Sequence, residues 1–188
     1  RLGFAERRES EVRRYVGSPL SEMFAEFAPG LDFDQIRPLF RERALEVIIP
    51  SSELLPHATE TLQRMRRVGY RLGIGSTKIR PHIRGLVERF GWEPFIESYS
   101  GADEAPPKPA PDIFLRTLER LEVDPIHALV VGDTANDTIA ARHAGVHVVT
   151  IDSDLGDREA LAANPPDRRF ANLREFTDFM EGQLNGAS

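Results

Sequence analysis

The chain has 188 residues, 40% of them apolar and 29% charged, with a formal net charge of −6 and no cysteine. That length carries one hydrophobic core with at most a small appended unit, and no apolar run approaches the length of a membrane span. Net negative charge, with no window gathering basic and aromatic residues, opposes nucleic-acid binding; the lack of cysteine excludes disulfides and thiolate metal sites, and with no long apolar segment in RLGFAERRES a cytoplasmic location is expected.

In chain order, residues 1 to about 50 carry only helical periodicity: Phe33, Ile36, Phe40, Ala44 and Val47 recur at three- and four-residue spacing, and SPLSEMFAEF sets Ser18 as a cap ahead of Pro19. Pro38 predicts a late helix start or a kink, because proline removes a donor and crowds the preceding turn. From about residue 53 helices alternate with short apolar runs. A helix near 57–68 ends at Gly69 and leads into the strand YRLGIGS; a helix from Pro81 to Phe90 ends at Gly91 and leads into FIESYS. Then come a helix from about Pro111 to Leu121, the strand ALVVGD, a helix from about Asn136 to Ala144, the strand VHVVTI and a closing helix in LREFTDFMEGQL. Strands alternating with helices imply a parallel sheet covered on both faces, with its ligand crevice outside the carboxyl ends of the strands.

The residues that follow each strand therefore carry the chemistry. Ser76, Thr77 and Lys78 follow the first; a hydroxyl with free backbone N–H groups at a helix start can seat an anion, although a plain Ser/Thr cap explains the same residues. GADEAPPKPAPD follows the second, and its prolines leave Lys108 little conformational freedom; a solvated turn ahead of Pro111 is the alternative. Of 24 basic residues all but Lys78 and Lys108 are arginine, so a lysine in the most rigid loop asks for a local reason. Asp133 and Asp137 follow the third, one at the strand tip and one in the first helical turn, with Gly132 allowing a sharp turn. As a turn former and a cap they need no ligand. As a pair at one crevice they repel unless a cation intervenes, and oxygen-only ligands suit Mg²⁺ sharing its other sites with a phosphate. An anion seat, a rigid cation and hard-metal ligands on one sheet edge are the parts phosphoryl transfer needs.

On these residues the sequence resembles the haloacid dehalogenase-like hydrolases, in particular phosphoglycolate phosphatase-like members with a helical cap. GIGSTK is similar to their second motif, with Ser76 and the Thr77 amide holding phosphate and Thr77 where Asn is more usual. KPAPDIF resembles the third, with Lys108 as its lysine, and VGDTANDTIAARHAG the fourth, with Asp133 as the Mg²⁺ ligand and Asp137 as its acidic partner. RRYVGSPLSEMF resembles the cap segment, which implies that the loop around Gly17 to Leu20, with Ser18, faces the substrate; Arg13 and Arg14 beside it could meet a second anionic group such as a carboxylate, and an exposed helix face explains those arginines equally well. The implied fold is α/β: a Rossmann-like parallel-sheet core over residues 53–188 with a small all-helical cap over 1–52. The implied activity is Mg²⁺-dependent hydrolysis of a small phosphorylated metabolite through an aspartyl phosphate, with Ser76 and Lys108 in the catalytic set.

These enzymes open with a strand ending in D-x-D-x-T, whose aspartates attack phosphorus and transfer protons. No such segment stands in this sequence, so the expectation is a portion of a longer phosphatase, inactive alone, with its nucleophile upstream of Arg1. The alternative is a non-catalytic phosphate- and metal-binding module. In the family that strand lies between those ending at Ser76 and Asp133, so its omission predicts poor folding unless these two close up and pair directly.

Overall fold

The computed structural model describes residues 5–13, 15, 20–153 and 158–185. Helices α1 (Glu9–Arg13), α2 (Leu20–Phe27) and α3 (Phe33–Ser51) come first. The Asp32 side chain caps α3 by accepting from the Asp34 N–H, and the helix runs on through Pro38 rather than starting late. Tertiary packing offsets the hydrogen bond lost at the proline. Phe24 of α2 packs against Phe33 and Phe40 at centroid distances of 5.3 and 5.7 Å, which anchors α3 on both sides of Pro38. Further along, Ile49 of α3 sits where a side chain at Gly85 would stand, with its Cδ1 2.3 Å from that position.

The rest alternates as expected: α4 (Ala58–Arg67), β1 (Leu72–Gly75), α5 (Arg80–Phe90), β2 (Ile96–Ser100), α6 (Asp112–Leu121), a 3-10 turn at Pro125–His127, β3 (Leu129–Gly132), α7 (Ala135–His143), β4 (His147–Ile151), α8 (Arg158–Ala163), β5 (Arg168–Phe170) and α9 (Leu173–Asn185). Every ladder is parallel. Gly91 ends α5 at φ 66° in the left-handed region, whereas α6 ends the same way on Glu122 at φ 52°, a stop without a glycine. The short β5 carries no apolar alternation in RRF and is held by β4, with Val149 opposite Arg168, and by Arg168 lying over the Phe179 ring at 4.0 Å. No helix among the described residues is long and apolar enough to cross a membrane.

The sheet is divided. β1 pairs with β2, and β3 with β4 and β5, but no ladder joins β1 to β3 among the described residues, so these strands do not close up. Helices hold the two pieces together. Phe114 and Leu118 of α6 pack with Ala140 and Ala141 of α7, with Ala144 that caps it and with Val148 of β4 on one face. On the other, Met65, Leu72 and Tyr70 meet Val149, Ile151, Phe170 and Phe176. Helix α6 lies so close on β1 that a Cβ at Gly75 would stand 2.7 Å from the Phe114 ring, and one at Gly73 would stand 2.7 Å from Thr117 Cγ2. Beside the break, Leu129 and Val131 of β3 remain 36% and 42% exposed, unusual for the middle of an α/β sheet.

Candidate active site

Loops 76–79 and 101–111 leave the carboxyl ends of β1 and β2, and Asp133 and Thr134 leave β3. The Ser76 N–H extends the β1–β2 ladder to the Ser100 carbonyl at 3.1 Å, and Ser76 Oγ accepts from the Lys78 N–H at 3.1 Å, tightening the turn. The Thr77 amide and hydroxyl have no partner among the described residues. The N-terminus of α5 is not open in the same way: Asp103 Oδ1 accepts from the Arg80 N–H at 2.8 Å, and residue 81 is proline. An anion here would meet Ser76 and Thr77, not the start of the helix.

Loop 101–111 is pinned by Glu104. Its Oε1 lies 2.6 Å from Arg120 Nη2, its Oε2 lies 3.3 Å from Arg80 Nη1, and its carbonyl accepts from Arg116 Nη1 at 2.7 Å. Arg80 also stacks over the Tyr99 ring at 4.5 Å and donates to the Tyr99 carbonyl. Loop 101–111, whose Lys108–Pro109 peptide is cis, delivers Lys108 to the break in the sheet. There Lys108 Nζ lies 2.5 Å from Asp137 Oδ1, 3.4 Å from the Gly75 carbonyl oxygen and 5.3 Å from the centroid of the Phe114 ring. Because the Ser76 N–H faces β2, strand alternation turns the Gly75 carbonyl away from β2. One ammonium thus ties the edge of the first sheet to the helix that follows β3.

Asp137 is the third residue of α7 and forms a capping box with Thr134. Its Oδ2 accepts from the Asp133 N–H at 3.2 Å, the Thr134 N–H at 3.1 Å and the Thr134 hydroxyl at 2.7 Å. Burial pushes this carboxyl up, but the Lys108 ammonium and the donors from Lys108, Thr134 and Asp133 outweigh it and hold Asp137 below the usual aspartate range. Donors thus stand on both oxygens of Asp137, the residue expected from the sequence to be the acidic partner of Asp133 at the metal. Asp133 is half-buried and accepts from the Ser153 hydroxyl at 2.9 Å. Its carboxylate suits a hard cation such as Mg²⁺, which can take one protein carboxylate and fill its other positions with water and phosphate oxygens. Among the described residues no group of three His, Cys, Asp or Glu side chains forms a metal cage.

Residues 1–151 match the sequence model of the haloacid dehalogenase-like hydrolases. The chain belongs to that family. This haloacid dehalogenase-like hydrolase is 28% identical over 176 residues to pyrophosphatase PpaX of Bacillus velezensis, across 90% of this chain and 78% of that protein. It is 28% identical over 177 residues to a phosphoglycolate phosphatase of Shigella boydii, across 93% and 69% of the two chains. Among solved structures, a haloacid dehalogenase-like hydrolase from Bacteroides fragilis superposes with a TM-score of 0.82 at 26% identity, covering 93% of this chain and 85% of that one. The architecture is accordingly Rossmann-like α/β.

In this haloacid dehalogenase-like hydrolase Ser76, Thr77, Lys108, Asp133 and Asp137 gather at one end of the strands. The four cap residues are not placed with them: Arg14, Gly17 and Ser18 lie outside the described residues, and Arg13 closes α1 with its side chain outside them. Sequence reasoning missed Asp103, Glu104, Thr134 and Ser153. The T-x-x-D spacing of Thr134 and Asp137 is a legible capping signal, whereas nothing local marks the others. Gly132, directly ahead of the bends at residues 133 and 134, is also a place of close approach: a Cβ there would stand 2.5 Å from Asp137 Cβ. Gly132→Ala is therefore expected to lift Asp137 off its cap and cost about 1–3 kcal/mol in urea unfolding, with weaker phosphate binding in a calorimetric titration.

Proposed function

We propose that this hydrolase is a Mg²⁺-dependent phosphatase acting on phosphate monoesters of a small metabolite through an aspartyl phosphate. The observation that carries the reading is the Lys108 ammonium, fixed between Asp137 and the Gly75 carbonyl, one residue from Ser76. A half-buried cation held by a carboxylate beside free Thr77 donors is suited to the oxygens of a phosphoryl group. Ser76 and Thr77 hold those oxygens, Lys108 neutralises their charge and Asp137 orients Lys108. Asp133, steadied by Ser153, holds the metal, which supplies charge stabilisation to the phosphoryl group when bound. The similarity to a pyrophosphatase and a phosphoglycolate phosphatase supports the same reaction class.

The attacking carboxylate, in this reading, comes from a strand that pairs between β1 and β3, where both edges lack a ladder. The carboxylate oxygen bonds to phosphorus as the ester oxygen leaves and takes up a proton; water then hydrolyses the acyl phosphate to carboxylate and inorganic phosphate. Residues 1–52, with α3 packed on α5, serve as the substrate-selecting cap, and Arg13, Arg14, Gly17 and Ser18 belong to it. In this reading residues 1–188 by themselves turn over no phosphomonoester.

A phosphatase assay with and without Mg²⁺ tests this, comparing the 188-residue chain with a form extended upstream of residue 1 by a D-x-D-x-T strand. Turnover by the extended form alone, dependent on Mg²⁺, is the expected result. An extended form that folds and turns over no phosphomonoester would leave a phosphate- and metal-binding module as the correct description.

A further inference from the structure

The turn after β4 reaches back to Asp133. Parallel register sets Gly132 of β3 opposite Thr150 of β4, and Thr150 opposite Arg169 of β5, so the residues that follow β3 and β4 leave the sheet at the same edge. Two residues beyond β4, the half-buried Ser153 hydroxyl donates to Asp133 Oδ2 at 2.9 Å. Asp133 Oδ1 has no partner among the described residues.

The stretch that carries Ser153 is held from its other side by β5. The Asp152 N–H donates to the Phe170 carbonyl at 2.9 Å, and the Arg169 guanidinium closes on Asp152 Oδ1 with Nη2 at 2.7 Å and Nε at 3.2 Å. Both side chains of this ion pair are about half exposed, so it adds little stability by itself. What it fixes is direction, because with Asp152 tied to β5 the next residue points back across β4 to Asp133. Of the three residues of β5 only Phe170 enters the core, so anchoring this turn gives the strand a task that apolar burial does not account for.

We propose that Ser153 is a positioning residue for the metal carboxylate: by engaging Asp133 Oδ2 it leaves ligation through Oδ1 alone and biases the site toward Mg²⁺ over Ca²⁺. This rests on the metal-holding role given to Asp133 above and adds what sets the choice of ion. Mg²⁺ demands octahedral geometry, keeps several waters and is satisfied by one oxygen of a carboxylate. Ca²⁺ takes about six to eight oxygens and readily uses both of a carboxylate, which a donor on Oδ2 disfavours. Donors of this kind orient metal-bound carboxylates, and their loss weakens metal binding about 10–100-fold.

Titration of the 188-residue chain with Mg²⁺ and, separately, with Ca²⁺, followed by NMR at the backbone amides of Asp133 and Thr134, reads each ion at this site. The unmodified chain binds Mg²⁺ the tighter of the two. Ser153→Ala weakens Mg²⁺ about tenfold and Ca²⁺ by less than about threefold, while Ser153→Thr, which keeps a hydroxyl, holds the ratio of the two dissociation constants within about twofold. Ser153→Cys, close in size but only a weak donor, moves the ratio in the same direction as Ser153→Ala and replaces it if the alanine variant does not fold. Equal weakening of both ions overturns the proposal, since a merely structural hydroxyl would not discriminate between them. An unchanged ratio with Mg²⁺ binding intact also overturns it and leaves the metal-holding role of Asp133 standing. If neither ion moves these amides in the unmodified chain, that role falls and this inference with it.

Discussion

Lys108→Met is expected to lose about 3–5 kcal/mol of stability at pH 7, the cost of stranding a buried charge. The Asp137 side chain is 7% exposed and that of Lys108 13%, so little water reaches the pair. In the unmodified protein Asp137 titrates below its ordinary 3.8, and its contribution is complete above that value and lost as pH falls through the lower folded one. Removal of the ammonium reverses the balance, since burial then pushes the carboxyl up. The deficit of Lys108→Met is therefore greatest near neutral pH and shrinks on acidification, in urea unfolding at pH 7 and pH 4. Asp137→Asn in the same background removes the stranded charge, so the double variant is expected to be more stable than Lys108→Met alone. A double-mutant cycle should return a coupling of about 1–3 kcal/mol, and additive losses would show that the contact between Lys108 and Asp137 contributes nothing.

Glu104→Gln carries the second large effect, because one carboxylate holds the loop that delivers Lys108. Arg120 first, and Arg80 with it, bring the Glu104 carboxyl from its ordinary 4.5 down to about 2 against the opposing effect of burial. Its stabilisation is complete above pH 4.5 and lost as pH falls through about 2, so the unmodified protein loses stability across that window. Glu104→Gln should lack that slope and be less stable at pH 7 by roughly 1–2 kcal/mol, the value of charge-assisted hydrogen bonds discounted for the partly exposed arginines. Phosphate affinity should fall with it, since the loop that delivers Lys108 to Asp137 and the Gly75 carbonyl is then held less firmly. A flat stability difference from pH 5 to pH 2 would show that the carboxylate is not the pin.

The break between β1 and β3 links the fold to these effects. In a continuous sheet the Gly75 carbonyl would face a neighbouring strand; here it faces the Lys108 ammonium instead. The two cores span the break through α6 and α7 on one face and α4 and α9 on the other, so helix packing holds the two sheets side by side without a shared ladder. The apolar burial of these helices opposes the poor folding expected of two unpaired strands.

The order of helices and strands from α4 to β4, the stops at Gly69 and Gly91, and the loops carrying Ser76, Lys108 and Asp133 were determined by local sequence, because periodicity, capping and proline stiffness act over a few residues. The two lysines among the arginines were legible for the same reason. Tertiary structure alone decided that Asp137 gives an oxygen to Lys108, that Asp103 rather than a Ser or Thr closes the start of α5, and that three residues with no apolar alternation become β5. Each depends on groups distant in sequence meeting in space, and a carboxylate's partner cannot be chosen until packing has brought the candidate donors within hydrogen-bonding reach.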